Sequence, residues 1–187
     1  MSDTVRLTLI SHGMTSAVRA ARFPDDEPLE AGALAMARSA SLRPPRRTLR
    51  DATARTEQTA IALGLEATVD PTLADLDAGR WRGRSLDELP PAELQAWATD
   101  LSFAAHGGES IEDLLTRVSR WLTTSATVPG STVAFTHPAV IRAVLIIALQ
   151  AAPTSFWRID TPPLTATSLH ARDGRWTLRY ANSVLPG

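Results

Sequence analysis

Two histidines each close a short apolar run in this chain. His12 ends Leu7-Thr8-Leu9-Ile10-Ser11, and His137 ends Val133-Ala134-Phe135-Thr136. Helix-forming sequence comes after both, with Pro138 at the first helical position after the second. If the two runs are neighbouring parallel strands, the imidazoles meet at the carboxyl edge of one sheet, where open α/β folds bind ligands. A pair of imidazoles with arginines nearby suits phosphoryl chemistry, because one ring can attack while the other donates to an oxyanion. The chain holds no lysine, so all 19 basic residues are arginine. Schiff-base chemistry and a P-loop lysine are thereby excluded, and any bound anion falls to arginine, histidine and backbone amides.

The elements that position these side chains can be read from periodicity. Residues 5–10 form a buried first strand, followed by a loop through Arg19, Arg22 and the turn at 23–28. A helix is predicted over about 30–40, a weak strand over 47–50, and a helix over 52–63 with Gly64 as its C′ residue. Residues 67–69 make a short strand, and 73–83 a loop carrying Asp75, Asp77, Gly79 and Gly83. Ser85 and Glu88 form a capping-box pattern, and a helix runs over about 92–99. From Ser110 onward, Ile111, Leu114, Leu115, Val118, Trp121 and Leu122 share one helical stripe. Residues 131–136 read as a strand inside a parallel sheet, 139–149 as a helix buried on it, and 165–171 with 175–181 as a hairpin. This alternation predicts a three-layer α/β/α fold with a mostly parallel central sheet and an antiparallel edge, in one domain spanning 1–187.

Composition narrows the function classes. A hydrophobic fraction of 44% and a charged fraction of 21% are those of a globular protein, and a net charge of −1 lacks the basic excess of a nucleic-acid binder. The longest strongly apolar stretch, 143–149, is too short to span a bilayer, and residues 1–4 carry no basic leader. With no cysteine there is no disulfide, thiolate metal site or cysteine nucleophile, so a cytoplasmic location is expected.

Five segments, in order, carry a family resemblance over nearly the whole chain. Ser11-His12-Gly13-Met14-Thr15 resembles the Arg-His-Gly-x-Thr block of the histidine phosphatases of the phosphoglycerate mutase-like superfamily, in particular the small broad-specificity phosphatases. Arg55-Thr56-Glu57-Gln58-Thr59-Ala60 resembles its Arg-Ala-x-Gln-Thr-Ala helix. The stretch from Leu73 through Asp75, Gly79 and Trp81 to Gly83 is similar to Leu-x-Glu-x-x-x-Gly-x-Trp-x-Gly. Gly107-Gly108-Glu109-Ser110 and Thr136-His137-Pro138-Ala139-Val140-Ile141-Arg142 resemble Gly-Gly-Glu-Ser and Thr-His-Gly-x-x-Ile-Arg.

The resemblance implies a phosphoric monoester hydrolase acting on a small phosphorylated metabolite through a phosphohistidine on His12, with no metal and no cofactor. His12, Asp75 and His137 would be catalytic, with Asp75 as acid, and Arg55, Ser11 and Thr15 would contact the phosphate. Several residues depart from the pattern. Ser11 replaces an arginine, Asp75 a glutamate and Pro138 a glycine, Asp51-Ala52 stands where Ser-Pro is frequent, and Val18 stands where many members have asparagine. A missing transition-state donor lowers turnover by about 10²–10³-fold. The alternative is therefore an impaired phosphate-binding or regulatory member of the superfamily, unless Arg19, Arg22, Arg80, Arg82, Arg84 or Arg142 supplies the missing cation. A mutase is disfavoured by the short chain. Glu109 is expected to shape its loop, His106 to be an exposed loop residue, His170 to be structural, Trp81 and Trp97 to wall the pocket, and Trp121 to lie in the core. No nucleic-acid or membrane partner is expected, the oligomeric state is open with a homodimer included, and substrate choice lies in 19–28 and 85–107.

Overall fold

The first apolar run is strand β1 (Val5–Ser11), buried at most of its positions. In the computed structural model residues 4–187 are described, so the reading of the chain's start as free of a leader, which rests on Met1, Ser2 and Asp3, lies outside the described residues. Thr15 accepts the Val18 amide and caps a one-turn helix, α1 (Ser16–Arg19). Then come α2 (Ala31–Ser39), β2 (Arg47–Arg50), α3 (Ala54–Ala62) and the short β3 (Thr68–Val69). Gly64 stops α3 at φ 72°, the left-handed conformation that suits a C′ residue. The stretch expected to be loop contains 3-10 turns at Pro71–Leu73 and Gly79–Trp81, and a third at Leu86–Glu88 opens with the Glu88 carboxylate accepting the Ser85 amide.

The second half runs α4 (Pro91–Thr99), α5 (Ile111–Ser125), β4 (Gly130–Thr136), α6 (Pro138–Leu149), β5 (Thr165–Arg172) and β6 (Arg175–Val184). Proline begins both α4 and α6, where its missing N–H leaves no helical bond unmade. Asp173 and Gly174 turn β5 into β6 with φ of 50° and 74°, the paired positive values of a type I′ hairpin.

The strands are ordered β3-β2-β4-β1-β5-β6. β3, β2, β4 and β1 are mutually parallel, and β5 and β6 add the antiparallel edge. Alternation along the strands sends side chains to two helical layers. Leu7 and Leu9 join Leu114, Val118 and Leu122 of α5 and Val140, Ile141 and Val144 of α6 in one core. Ile10, Val133 and Phe135 pack on the opposite face with Ala33 and Ala37 of α2 and Ala60 of α3. A third, smaller cluster gathers Trp81 and Leu89 with Phe23, Leu94, Trp97 and Phe103 above the carboxyl edge of the sheet.

One consequence of the register positions the site. Ser11 pairs with Thr136, and the His12 amide donates to the Thr136 carbonyl at 3.1 Å. His12 and His137 therefore leave adjacent strands at the same level.

Candidate active site

The two imidazoles stand edge to face with centroids 5.3 Å apart. Both are buried. His12 Nδ1 lies 2.8 Å from the Gly13 carbonyl. A carbonyl can only accept, so Nδ1 carries the proton and Nε2 keeps its lone pair. Burial foremost, then the neighbouring His137, lowers the His12 pKa from 6.5 to about 4, against the opposing Gly13 hydrogen bond and with help from the Arg55 charge. His12 is thus an uncharged base at neutral pH.

Arg55 comes from the first turn of α3 and is buried beside His137. Its Nε donates to His137 Nδ1 at 3.3 Å, and its Nη2 donates to Asp75 Oδ2 at 3.2 Å. Nη1 is buried without a partner. An unpartnered buried guanidinium nitrogen is a strong donor waiting for an anion.

His137 is also held from behind, by a residue whose role was not foreseen. Asp51 follows β2, is buried, and brings Oδ2 to 2.9 Å from His137 Nε2. The Nε2 proton is not aimed squarely at that oxygen, so the contact acts more through charge than through a well-aligned hydrogen bond. Thr53 donates its amide and hydroxyl to Asp51 Oδ1, and the Thr56 hydroxyl donates there too. Burial opposes ionisation of Asp51, but His137 and these hydroxyls outweigh it and hold the carboxyl far below the usual range. From the sequence, Asp51 reads only as a lost hydroxyl; the fold shows a carboxylate that orients an imidazole.

Asp75 sits where the loop 73–83 crosses the strand ends. Its Oδ2 is 3.4 Å from His137 Nδ1, and its Oδ1 accepts the Leu76 amide at 2.9 Å. Burial favours the neutral acid, yet His137, Arg55 and His12 together with the Leu76 amide hold the carboxyl below its ordinary range. The loop is braced from α5. Arg117 pairs with Glu109 at 2.7 Å and donates Nη1 to the Thr72 and Ala74 carbonyls. Gly79 and Gly108 let this loop meet the 107–109 segment: a Cβ at Gly79 would lie 2.3 Å from the His106 carbonyl, and one at Gly108 would lie 2.0 Å from that of Asp77.

Two neighbouring hollows share Pro24, Asp75, Leu76 and Ala78 in their walls. The inner one, about 180 Å³, is bounded by His12, Val18, Arg142 and a wall of aromatic rings. The outer one, about 330 Å³, is polar and is bounded by Asp51, Thr53, Arg55 and Arg82. Trp81 and Trp97 line the inner hollow as expected, and Trp121 is in the core. His106 corrects the expectation of an exposed residue: it is buried, its Nδ1 accepts the Gly108 amide, and its ring packs on Trp81 at 4.7 Å.

Two further expected phosphate contacts, Ser11 and Thr15, line neither hollow. Ser11 is fully buried with an unpartnered hydroxyl and lines neither hollow. The Thr15 hydroxyl caps α1 and donates to Glu27 at 3.0 Å, so its proton is already engaged. Among the arginines that could replace the missing one, Arg19 pairs with Glu30, Arg80 with Glu93 and Arg82 with Asp77, while Arg84 donates to the Glu88 carbonyl. Arg142 is the one that lines the inner hollow, with its Nε donating to the Ile159 carbonyl at 2.7 Å. Among the described residues, no group of three or more histidines, aspartates or glutamates is arranged to hold a metal ion.

Known proteins share this arrangement of chain. The sequence model of the histidine phosphatase superfamily (branch 1) matches residues 7–184. A bifunctional protein of Mycobacterium tuberculosis is 32% identical over 130 residues, covering 66% of this chain and 35% of that protein. An uncharacterized Mycobacterium bovis protein matches to the same extent, so the chain spans about a third of the length of the curated relatives it matches. The alpha-ribazole phosphatase from Shigella flexneri superposes with a TM-score of 0.84 at 22% identity, over 97% of this chain and 98% of that one. A mycobacterial glucosyl-3-phosphoglycerate phosphatase complexed with VO3 gives 0.79 at 24% identity, over 96% and 99%. A mutant phosphoserine phosphatase from Entamoeba histolytica bound to phosphoserine gives 0.82 at 19% identity, over 95% and 96%. At these identities the structural likeness is one of fold.

Proposed function

This chain belongs to the histidine phosphatase superfamily (branch 1), and from that premise we propose that it hydrolyses small phosphomonoesters through a phosphohistidine on His12. The observation that carries the reading is the state of the pair: His12 has Nδ1 engaged and no protein hydrogen bond at Nε2, and beside it Arg55 Nη1 is buried and unpartnered. A phosphate set between them satisfies both.

In the first step the Nε2 lone pair attacks phosphorus, the N–P bond forms and the P–O ester bond breaks. Arg55 holds the equatorial oxygens, His137 fixes the Arg55 guanidinium by accepting its Nε proton at Nδ1, and the amides of Ala139 and Val140 lie at the start of α6. Asp75 gives its proton to the departing alkoxide. In the empty site Asp75 is ionised, and a bound phosphate dianion engages Arg55 and adds negative charge nearby, so substrate itself favours the protonated acid. In the second step the Asp75 carboxylate takes a proton from water, which attacks phosphorus and releases inorganic phosphate and free His12. Arginine, histidine and amides supply the charge that a metal supplies in other phosphatases.

Ser11 and Asp51 favour a second reading, a phosphate-binding member with little turnover, because one removes a cation and the other adds an anion next to the site. Turnover of a phosphomonoester panel, with and without chelator, separates the two. The phosphatase reading expects chelator-resistant release of phosphate that is abolished in His12→Ala and reduced about 10²-fold or more in Arg55→Ala. Phosphate binding with no release from any ester would favour the second reading.

A further inference from the structure

The inner hollow carries more information than its neighbour about what leaves the phosphorus. We infer that the site takes a phosphomonoester whose alcohol bears a single aromatic ring, in preference to a sugar phosphate; this rests on the phosphatase reading above. The two hollows divide the substrate. Arg55, Asp51 and Thr53 border the polar one, and His12 with the aromatic wall borders the other. Asp75 lies at their junction, which is where the bridging ester oxygen must receive a proton. His12 and Asp75 both border the aromatic hollow, so an ester with phosphorus at His12 and its bridging oxygen at Asp75 presents its alcohol to those rings.

That hollow is built of rings. Trp97 meets Trp157 with centroids 4.2 Å apart, and Phe23 meets Trp97 at 5.4 Å in an edge-to-face contact. Trp81 lies 5.9 Å from Trp97 at nearly a right angle, and Phe156 lies 4.9 Å from Trp157. Four separate stretches of chain supply these rings, and their mutual packing sets the walls before any ligand arrives. The volume of about 180 Å³ compares with the roughly 150 Å³ apolar cavity that accommodates benzene. It fits one six-membered ring and a short linker.

The polar atoms of the wall do not suit a sugar. Trp81 Nε1 and Trp157 Nε1 are buried donors without partners, and the Arg142 guanidinium packs against Phe156 and Trp157 at 5.7 and 5.9 Å. His106 already accepts the Gly108 amide. A polyhydroxylated alcohol would bring several O–H protons, each in need of an acceptor, to a wall of rings and donors, and those protons would lose their water without replacement even where a hydroxyl oxygen accepts. An aromatic ring loses nothing polar and stacks on the indoles.

The test pairs 2-phenylethyl phosphate with glucose 6-phosphate, both esters of primary alcohols, so the comparison reads recognition more than leaving-group reactivity. Binding is measured by calorimetry on His12→Ala, which does not turn substrate over, and kcat/KM on the unaltered chain. The expected result is about tenfold or greater preference for 2-phenylethyl phosphate in both, with quenching of tryptophan fluorescence on binding. Trp157→Ala should collapse that ratio, and Trp97→Ala serves if the first variant does not fold. Equal or tighter binding of glucose 6-phosphate, or a ratio that survives both variants, overturns the inference. Failure of the phosphatase reading would look different: no ester is hydrolysed by the unaltered chain, while the binding preference still decides the pocket.

Discussion

Asp51 makes His137 a member of a dyad. A buried carboxylate against Nε2 fixes the ring's orientation, and with it the Arg55 guanidinium whose Nε donates to His137 Nδ1. Asp51→Asn keeps the shape and removes the charge, and kcat is expected to fall about 10–100-fold with the fold retained, as measured by steady-state kinetics beside circular dichroism. His12 yields a prediction of another kind. Its pKa in the folded chain, about 4, lies below the ordinary 6.5, so between those values the unfolded chain binds a proton that the native chain refuses. The associated stability is present above pH 6.5 and is lost as the pH falls toward 4, a change of about 3 kcal/mol. Thermal melts from pH 7 to 4 should show a shallower decline for His12→Ala than for the unaltered chain. The same protonation removes the nucleophile, so kcat/KM should drop as the pH approaches 4. Asp75→Asn, which removes the acid, should slow phosphohistidine formation from alkyl esters about 10²–10⁴-fold while sparing the first-turnover burst of p-nitrophenol from p-nitrophenyl phosphate, whose leaving group needs no proton.

At the scale of elements, the loop 73–83 is held by two devices that differ in how visible they are in sequence. The glycines can be read: Gly79 at φ 52° sits against the His106 carbonyl, and only a residue without Cβ fits there. Gly79→Ala should destabilise the chain by about 3 kcal/mol, read from denaturant melts, and should weaken turnover through Asp75. Arg117 cannot be read, because its partners are backbone carbonyls and Glu109, brought to it by the fold. The same contrast holds across the molecule. The stripe from Ile111 to Leu122, the buried run ending at Thr136 and the Asp173-Gly174 turn announce themselves through periodicity and turn chemistry, and all are present in the structure. The 3-10 turn Pro153–Arg158, which places Phe156 and Trp157 in the inner wall, has too few residues to show a period. Asp51, one residue beyond a four-residue strand, gains its role from a histidine 86 positions away in sequence, a pairing set by the β2–β4 register.

Over the whole molecule, the parallel β1–β4 pairing is what turns two separate sequence blocks into one site. Ser11 opposite Thr136 sets His12 beside His137, α3 brings Arg55 over the same edge, and the smaller aromatic cluster covers it. The chain carries a net charge of −1, and the site itself holds Arg55 against Asp51 and Asp75, so attraction of a phosphate depends on protons as much as on fixed cations. Ser11 contributes no cation, and Arg142, which lines the inner hollow, has its Nε on the Ile159 carbonyl and its guanidinium over Phe156 and Trp157. The central claim is that His12 forms a bond to phosphorus. Rapid acid-free quenching of a reaction with a ³²P-labelled phosphomonoester, followed by peptide mapping, reads that bond directly. Label on the peptide carrying His12, stable to base, lost on acid treatment and absent from His12→Ala, is the predicted result; label that persists in His12→Ala would contradict the account.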